Sequence, residues 1–398
     1  MSQSISNRII SLDALRGFTI AGMVIVNNPG TWGSVYDPLL HANWHGITPT
    51  DLIFPFFLFM VGVSISFAYT KRLAQGADKR ALYKKVFVRS GKIMLIGWFL
   101  ALFPFFDFAN IRLAGVLPRI SLVFLACACI FLNTRWKQQL WIAGGLLVGY
   151  WLLLAFVPVP IDAVIEQALA TGTILRSGDR IVELEAIHQI SDHWIAANYQ
   201  PGINFAAWFD RMALPGRFWE ITWDPEGLLS TVPAIGSGML GMLVGTLYQR
   251  ESDTYRKLTY LFFVGFVMIT LGTIWGWFMP LNKNLWSSSY TLWTAGAATL
   301  GFAACILVVD VWGYTRWTQL GRVYGANAIT SFVLSGLLTW VFYRDIWFGH
   351  SLSQMFMGGM TGLGVGAKFA SMLYAVLYML VIYLPAHWLY RKEIFIKV

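Results

Sequence analysis

The stretch from Asn27 to Ser66, NNPGTWGSVYDPLLHANWHGITPTDLIFPFFLFMVGVSIS, joins two apolar runs through a polar loop. The loop contains no Lys or Arg, but it carries His41 and His45, and Asp51 stands where the second apolar run begins. Polar and titratable groups are costly in lipid, so those held between two membrane-length segments usually belong to a functional site. The stretch therefore predicts a membrane protein with its chemistry in this loop.

The composition agrees with a membrane protein. Of the 398 residues, 57% are hydrophobic and 12% are charged, which is about half the charged fraction of a soluble domain. The formal net charge of +9 could suggest nucleic-acid binding. The basic residues, however, cluster in short segments between apolar runs, an arrangement typical of membrane topology. We therefore predict an all-α polytopic membrane protein with a lipid bilayer as its partner and no nucleic acid.

Ten apolar segments have roughly the 20 residues that a helix needs to cross a bilayer. They lie at about 14–29, 50–70, 86–105, 114–132, 139–158, 227–248, 258–279, 288–311, 323–342 and 367–390. Lys and Arg concentrate in alternate connections, and such connections face the cytoplasm. Both termini are therefore expected in the cytoplasm, and the His41 loop is expected on the outer face.

Residues 159–224 form a long hydrophilic stretch within what we expect to be a single transmembrane domain, residues 1–398. Long loops in compact proteins are usually functional, so this stretch is predicted to be an outer loop or lid. His188 and His193 lie in it, but their spacing matches no common ligand pattern, and we expect no metal.

Gly236, Gly238 and Gly241 match the dinucleotide-binding pattern GxGxxG letter by letter. That pattern needs a strand before it and a helix after it. Here the glycines lie inside an apolar segment, where Gly241 and Gly245, four residues apart, favour close helix packing. We interpret them as packing residues.

The histidine loop has the residue types that proton transfer requires. The ordinary pKa of histidine suits general base catalysis near neutral pH, so His41 and His45 are candidates. Pro49 and Asp51 suit the first turn of a helix capped by Thr48 or by the threonine at position 50. Asp51 could simply be a helix-end carboxylate, but two histidines beside it favour a catalytic group.

Three further groups of polar residues flank predicted spans. Asp13 and Arg16 share one helix face at the cytoplasmic start of the first span and can pair. Two groups lie at the outer face, and each alone could be only a cap or a turn. They comprise Asp224 and Glu226 before the sixth span, and Asn282, Asn284 and Trp286 before the eighth.

Four motifs together resemble the heparan-alpha-glucosaminide N-acetyltransferase family. They are SLDALRG at 11–17, HANWHGITPTDLIFPFFLFMVG at 41–62, DPEGLL at 224–229 and PLNKNLWS at 280–287. The resemblance extends from about residue 8 to the C-terminus, and the chain is similar to the bacterial members. It implies a location in the bacterial inner membrane.

The resemblance implies transfer of an acetyl group from cytoplasmic acetyl-CoA to the amine of a glucosamine on the other side. It implies that His41 is the catalytic histidine, with Asn27 and Asp51 as its partners. The lysosomal members have asparagine where this chain has His45, a departure that bears on the identity of the acceptor.

The residues suit that chemistry. An ammonium must lose a proton before it attacks a thioester, and His41 can take it. An amide such as Asn27 can stabilise the oxyanion, and Asp51 can orient the imidazole. The anionic phosphates of CoA suit basic residues at the inner face, which are Arg16, Arg89 and Lys92, with Asp13 beside them. The expected acceptor-binding residues are His45, Asp224, Glu226, Asn282, Asn284 and Trp286.

Other interpretations stay open at this point. Ten spans with polar residues also suit a secondary transporter of amino sugars, although transporters usually have broken helices at mid-depth. An O-acyltransferase that acts on a cell-envelope glycan is another alternative. The sequence also leaves open an acetyl-histidine intermediate and a homodimer.

Overall fold

The computed structural model describes residues 9–175, 181–183 and 187–396, and most of them are helical. The first five helices are Ile10–Asn27 (α1), Ile53–Ala74 (α2), Lys79–Leu102 (α3), Val116–Asn133 (α4) and Trp136–Phe156 (α5). The others are Ala163–Thr171 (α6), Phe205–Ala213 (α7), Thr231–Arg250 (α8), Thr254–Trp275 (α9), Ser288–Cys305 (α10), Gln319–Ala326 (α11), Ala328–Tyr343 (α12), Leu352–Gly362 (α13) and Ala367–Arg391 (α14). Short 3-10 turns occur at Asp37–Leu39, Pro49–Leu52 and Arg316–Thr318, and Ile306–Val311 continues α10 as a π-helix.

Eight helices in the described ranges are long and apolar enough to cross a membrane: α1, α2, α4, α5, α8, α9, α10 and α14. A ninth crossing results if α11 and α12, which meet at an angle of 76°, count as one broken span. The protein is thus a polytopic all-α membrane protein, as predicted.

Fewer helices qualify as membrane spans than the predicted ten, and the difference arises at two places in the chain. The predicted span 86–105 corresponds to α3, whose N-terminal part carries six Lys or Arg residues, so the helix is too charged to count as apolar. The predicted span 323–342 is broken at Asn327. The Asn327 side chain donates to Ile394 O at 3.0 Å and accepts from Ile396 N at 2.9 Å. Hydropathy does not register such a bend, because residues 323–342 are mostly apolar on both sides of Asn327.

Close packing of α2 against α8 forms the centre of the bundle. A Cβ atom on Gly241 would lie 2.1 Å from Phe59 O, and one on Gly62 would lie 1.8 Å from Gly238 O. Only glycine allows the two backbones to approach this closely. The interpretation of the GxGxxG pattern as packing residues is confirmed, since these glycines lie within the single helix α8.

The connections between helices gather at two ends of the bundle. One end, here called the histidine end, is joined by hydrogen bonds from Lys283 to His41 and from Arg112 to Asp224. It comprises connections 28–52, 103–115, 157–230, 276–287, 344–351 and 363–366. The opposite end, here called the basic end, comprises connections 75–78, 134–135, 251–253 and 312–318 together with residues 392–396.

The segment 159–224 is here called the insert, and its described residues form a small mixed unit at the histidine end. Its strands are Val159–Pro160 (β1), Thr173–Leu175 (β2), Ile181–Glu183 (β3), Gln189–Ser191 (β4) and Trp194–Ile195 (β5). They form an antiparallel sheet of order β1-β5-β4 and a separate β2-β3 hairpin. A small core of this unit consists of the buried residues Val159, Ile165, Ala168, Ile195 and Ile203. The part of the chain that the structure describes contains no group of three His, Cys, Asp or Glu side chains placed to hold a metal.

Candidate active site

The turn that begins the second span places Asp51. Thr48 lies at the N-cap, Pro49 occupies the first position, and Asp51 occupies the third position of the 3-10 turn Pro49–Leu52, which leads into α2. The Asp51 carboxylate accepts from Thr48 N at 3.0 Å and from Thr48 Oγ1 at 3.1 Å. The predicted cap is therefore confirmed, with Thr48 as the capping residue.

The same carboxylate also holds the histidine loop. Asp51 Oδ1 lies 2.6 Å from His41 Nδ1, and Oδ2 accepts from Ala42 N at 3.1 Å. The Asp51 side chain is 1% exposed, whereas that of His41 is 42% exposed. A buried carboxylate thus anchors a histidine whose ring reaches the surface at the histidine end.

The hydrogen bond to Asp51 determines which nitrogen of His41 can act as a base. An ionised carboxylate only accepts hydrogen bonds, so the Nδ1 of His41 must donate and carry the proton. The Nε2 of a neutral His41 then carries the lone pair that can accept a proton, and Asp51 stabilises the imidazolium that forms when Nε2 takes it. This is the arrangement of a general base with its orienting carboxylate.

The connection 276–287 lies against the histidine loop. Gly46 N donates to Leu281 O at 2.8 Å, and Asn282 Nδ2 lies 3.3 Å from His45 Nδ1. Lys283 Nζ lies 3.1 Å from His41 Nε2. The structure therefore brings His41, Asp51, His45 and Asn282 together, as the sequence predicted for one face of the bundle.

Lys283 is a neighbour of His41 that the sequence analysis did not select. A signal was available, because Lys283 stands inside the quoted PLNKNLWS motif and is one of few basic residues in the short connections predicted for the outer face. Partial burial lowers the pKa of Lys283 below that of an ordinary lysine, against the opposing effect of the Glu226 and Asp51 charges.

Two predicted residues do not contact the His41–Asp51 pair. Asn27 is the exposed last residue of α1, and its neighbour Asn28 is the buried one, with Nδ2 donating to Val24 O at 2.8 Å. Asn284 is partly buried in the connection that carries Lys283. Within the described residues neither Asn27 nor Asn284 forms a side-chain hydrogen bond, so their predicted roles as oxyanion donor and acceptor contact stay predictions.

Asp224 and Glu226 form an ion cluster with an arginine from the connection between α3 and α4. Arg112 Nε and Nη2 donate to the two oxygens of Asp224 at 2.7 and 2.6 Å, and Nη2 also donates to Glu226 Oε2 at 2.5 Å. Burial tends to raise the pKa of Glu226, but the charges of Arg112 and Lys283 outweigh it, so this pKa lies below its usual value. Arg112 therefore occupies the carboxylates that were predicted to bind the acceptor.

Trp286 lies in the core rather than at the surface. It is 1% exposed, its Nε1 donates to Ser237 Oγ at 3.0 Å, and its ring lies 5.0 Å from the guanidinium carbon of Arg119. Arg119 is also 1% exposed and donates to Gly227 O at 3.0 Å. The sequence analysis did not select Arg119, although a charge inside an apolar segment is a recognised functional signal.

Asp210, on α7 of the insert, is buried beside this cluster. It is 2% exposed and accepts from Leu229 N at 3.0 Å. Burial raises the pKa of Asp210 to about 6 from an ordinary value of 3.8. At a pH between 3.8 and about 6 the folded protein binds more protons at Asp210 than the unfolded chain does. The contribution of Asp210 to the free energy of unfolding therefore falls as the pH rises through about 6.

We expect Asp210→Asn to remove this titration. Lowering the pH from about 7 to about 5 should stabilise the native protein by about 1 kcal/mol relative to the variant. Thermal unfolding of both proteins in the same detergent, measured at several pH values, checks the difference. An unfolding-temperature difference that does not change with pH would contradict the raised pKa.

Of the residues predicted to bind CoA, Asp13, Arg16 and Arg89 lie in the helix halves nearer the basic end, and Lys92 lies near the middle of α3. Arg16 Nη2 donates to Asp13 Oδ1 at 3.0 Å and also to Gly325 O. The guanidinium carbon of Arg89 lies 4.8 Å from the centre of the Phe124 ring, and Lys92 is exposed on α3. Asp13 and Arg16 thus pair as predicted, and Arg89 supplies a second guanidinium from another helix, α3.

Comparison with known proteins agrees with this arrangement. Residues 8–170 match the model of the family described as "Heparan-alpha-glucosaminide N-acetyltransferase, catalytic". Over these residues the chain matches that catalytic family. The match includes the whole histidine loop, the His41–Asp51 pair and the helices that carry Arg16 and Arg89.

Two curated relatives carry the name heparan-alpha-glucosaminide N-acetyltransferase. The human protein is 29% identical over 82% of this chain, and the mouse protein is 28% identical over 83%. The aligned region covers 52% and 54% of their respective lengths. The chain thus spans about half the length of the curated relatives it matches. For this chain, the activity of those full-length proteins is therefore a proposal.

Proposed function

We propose that this protein is a transmembrane N-acetyltransferase that moves an acetyl group from acetyl-CoA to the amine of a glucosamine-type sugar. The observation that carries the proposal is the 2.6 Å contact between His41 and the buried Asp51. The match of residues 8–170 to the acetyltransferase family supports the same reaction.

In the proposed reaction the amine nitrogen of the sugar attacks the thioester carbonyl. His41 Nε2 takes the proton that the attacking amine must lose, and Asp51 stabilises the resulting imidazolium through Nδ1. The carbon–sulfur bond then breaks, the new amide keeps the acetyl group, and the CoA sulfur leaves and accepts a proton. Asn27 remains the predicted oxyanion donor, which requires the end of α1 to face the reacting carbonyl.

The donor is proposed to enter from the basic end. Arg16 and Arg89 suit the phosphates of CoA, because arginine forms charge-assisted hydrogen bonds with phosphate oxygens. The pantetheine arm would then extend between the helices toward His41. Lys and Arg are frequent at the helix ends that flank the connections of the basic end. This supports a bacterial inner-membrane protein whose basic end and both termini lie in the cytoplasm.

The acceptor is proposed to bind at the histidine end. His45 and Asn282, which contact each other at 3.3 Å, lie in the two connections that surround His41. The insert contacts the same loop, since Trp44 Nε1 donates to Tyr199 O at 2.8 Å. This contact supports a role of the insert as a lid over the acceptor within one transmembrane acyltransferase domain.

Sealed membrane vesicles test both the reaction and its direction. Vesicles of right-side-out and inverted orientation receive labelled acetyl-CoA, with glucosamine in the opposite compartment. We expect labelled N-acetylglucosamine only when acetyl-CoA meets the cytoplasmic face, with His41→Ala vesicles as the control. Movement of unmodified glucosamine without labelled product would support a transporter instead, and label on a sugar hydroxyl would support an O-acyltransferase.

A further inference from the structure

The amine of Lys283 stands at the position that an acetyl acceptor has to reach. An acceptor amine that gives its proton to His41 must come within hydrogen-bond distance of Nε2, about 2.6–3.2 Å. Lys283 Nζ lies 3.1 Å from that atom and 3.4 Å from Nδ1. Lys283 is therefore a primary amine within hydrogen-bond distance of Nε2, the unprotonated nitrogen of the proposed base.

The surroundings of Lys283 favour a reactive amine. No salt bridge to a carboxylate holds Nζ within the described part of the chain, although Asp51 and Glu226 are close enough to influence its charge. Partial burial lowers the pKa of Lys283, which increases the neutral fraction that can act as a nucleophile. Lysines are activated in this way when they lose contact with water.

We propose that Lys283 is itself an acetyl acceptor and becomes Nε-acetylated when acetyl-CoA is bound and no sugar amine is present. This modification rests on the proposed acetyltransferase activity. Lys283 Nζ attacks the thioester carbonyl, and its proton passes to His41 Nε2. The carbon–sulfur bond breaks, an amide forms at Nζ, and CoA leaves as the thiol after its sulfur accepts a proton.

The modification has a consequence for the site. An acetylated Lys283 has no positive charge, and its acetyl group occupies space beside His41. A sugar amine and Lys283 would compete for the same nitrogen of His41, so the sugar should protect Lys283 while it is being consumed.

The experiment incubates purified protein with acetyl-CoA in the presence or absence of glucosamine, followed by intact-mass and peptide mass spectrometry. We expect a mass gain of one acetyl group, mapped to Lys283, and slower labelling when glucosamine is present. Lys368 is the matched control lysine, because it also lies at the histidine end, is half exposed and contacts Asp37 at 3.4 Å. It should gain no acetyl group.

Three variants separate catalysed from spontaneous modification. Lys283→Arg keeps the cation but has no nucleophilic amine, so it should lose the mass gain, whereas Lys368→Arg should retain it. His41→Gln should lose the mass gain at Lys283 because the base is absent. A thermal-unfolding measurement on each variant establishes that it is folded.

The experiment distinguishes failure of the Lys283 proposal from failure of the acetyltransferase proposal. Acetylation of glucosamine with Lys283 unmodified in acceptor-free protein overturns this inference and leaves the acetyltransferase proposal intact. Equal labelling of Lys283 and Lys368, or full labelling of Lys283 in the folded His41→Gln variant, would be spontaneous chemistry and also overturns it. If neither glucosamine nor Lys283 is acetylated, both proposals fail together.

Discussion

His41→Ala is expected to abolish acetyl transfer while the protein remains folded and still binds CoA. The variant loses the Nε2 base and leaves the buried Asp51 carboxylate without its partner at 2.6 Å. Loss of a general base typically lowers a rate by about a hundred- to ten-thousand-fold. The measurement is the initial rate of acetylation by monodisperse protein in detergent, with thermal stabilisation by CoA as evidence of donor binding.

His45→Asn is the matched control for this experiment, because the two histidines stand in one loop four residues apart. His45 contacts Asn282 rather than a carboxylate, so its replacement removes no orienting partner from the proposed base. Substantial activity is expected, with altered preference among acceptor sugars. An inactive His45→Asn together with an active His41→Ala would show that the base has been assigned to the wrong histidine.

Arg112→Met is expected to give the largest loss of stability. The side chains of Asp224 and Glu226 are 0% and 9% exposed, and both lose their bound cation in this variant. Removing one partner from a buried ion pair typically costs about 3–5 kcal/mol, because the remaining charge stays buried and unpaired. A lowered thermal-unfolding temperature and faster proteolysis of the insert are the expected readouts.

Arg344→Met provides the control for Arg112→Met. Arg344 also lies at the histidine end, and both arginines pack on a ring. The guanidinium carbon lies 4.9 Å from the centre of Trp219 in Arg112 and 4.2 Å from the centre of Trp340 in Arg344. It is exposed and forms no salt bridge among the described residues. Its replacement should change stability by less than about 0.5 kcal/mol. Equal destabilisation by both variants would mean that the Arg112 cluster contributes no more than surface packing.

The sequence by itself predicted the features that depend on neighbouring residues. The apolar segments predicted a polytopic helical protein, because every backbone polar group in lipid must be satisfied within a helix. The order of Thr48, Pro49 and Asp51 predicted the cap that places the carboxylate, since these hydrogen bonds span only three residues. The four-residue spacing of Gly241 and Gly245 predicted a helix face for close packing, and the fold supplied α2 as its partner.

The tertiary structure decided which polar groups meet. Lys283 is 242 residues from His41, and Arg112 is 112 residues from Asp224, so no local pattern indicates either contact. The same long-range packing buried Trp286 and bent the chain at Asn327. A hydropathy profile records how apolar each segment is, and the partners of a side chain depend on how the segments are arranged around one another.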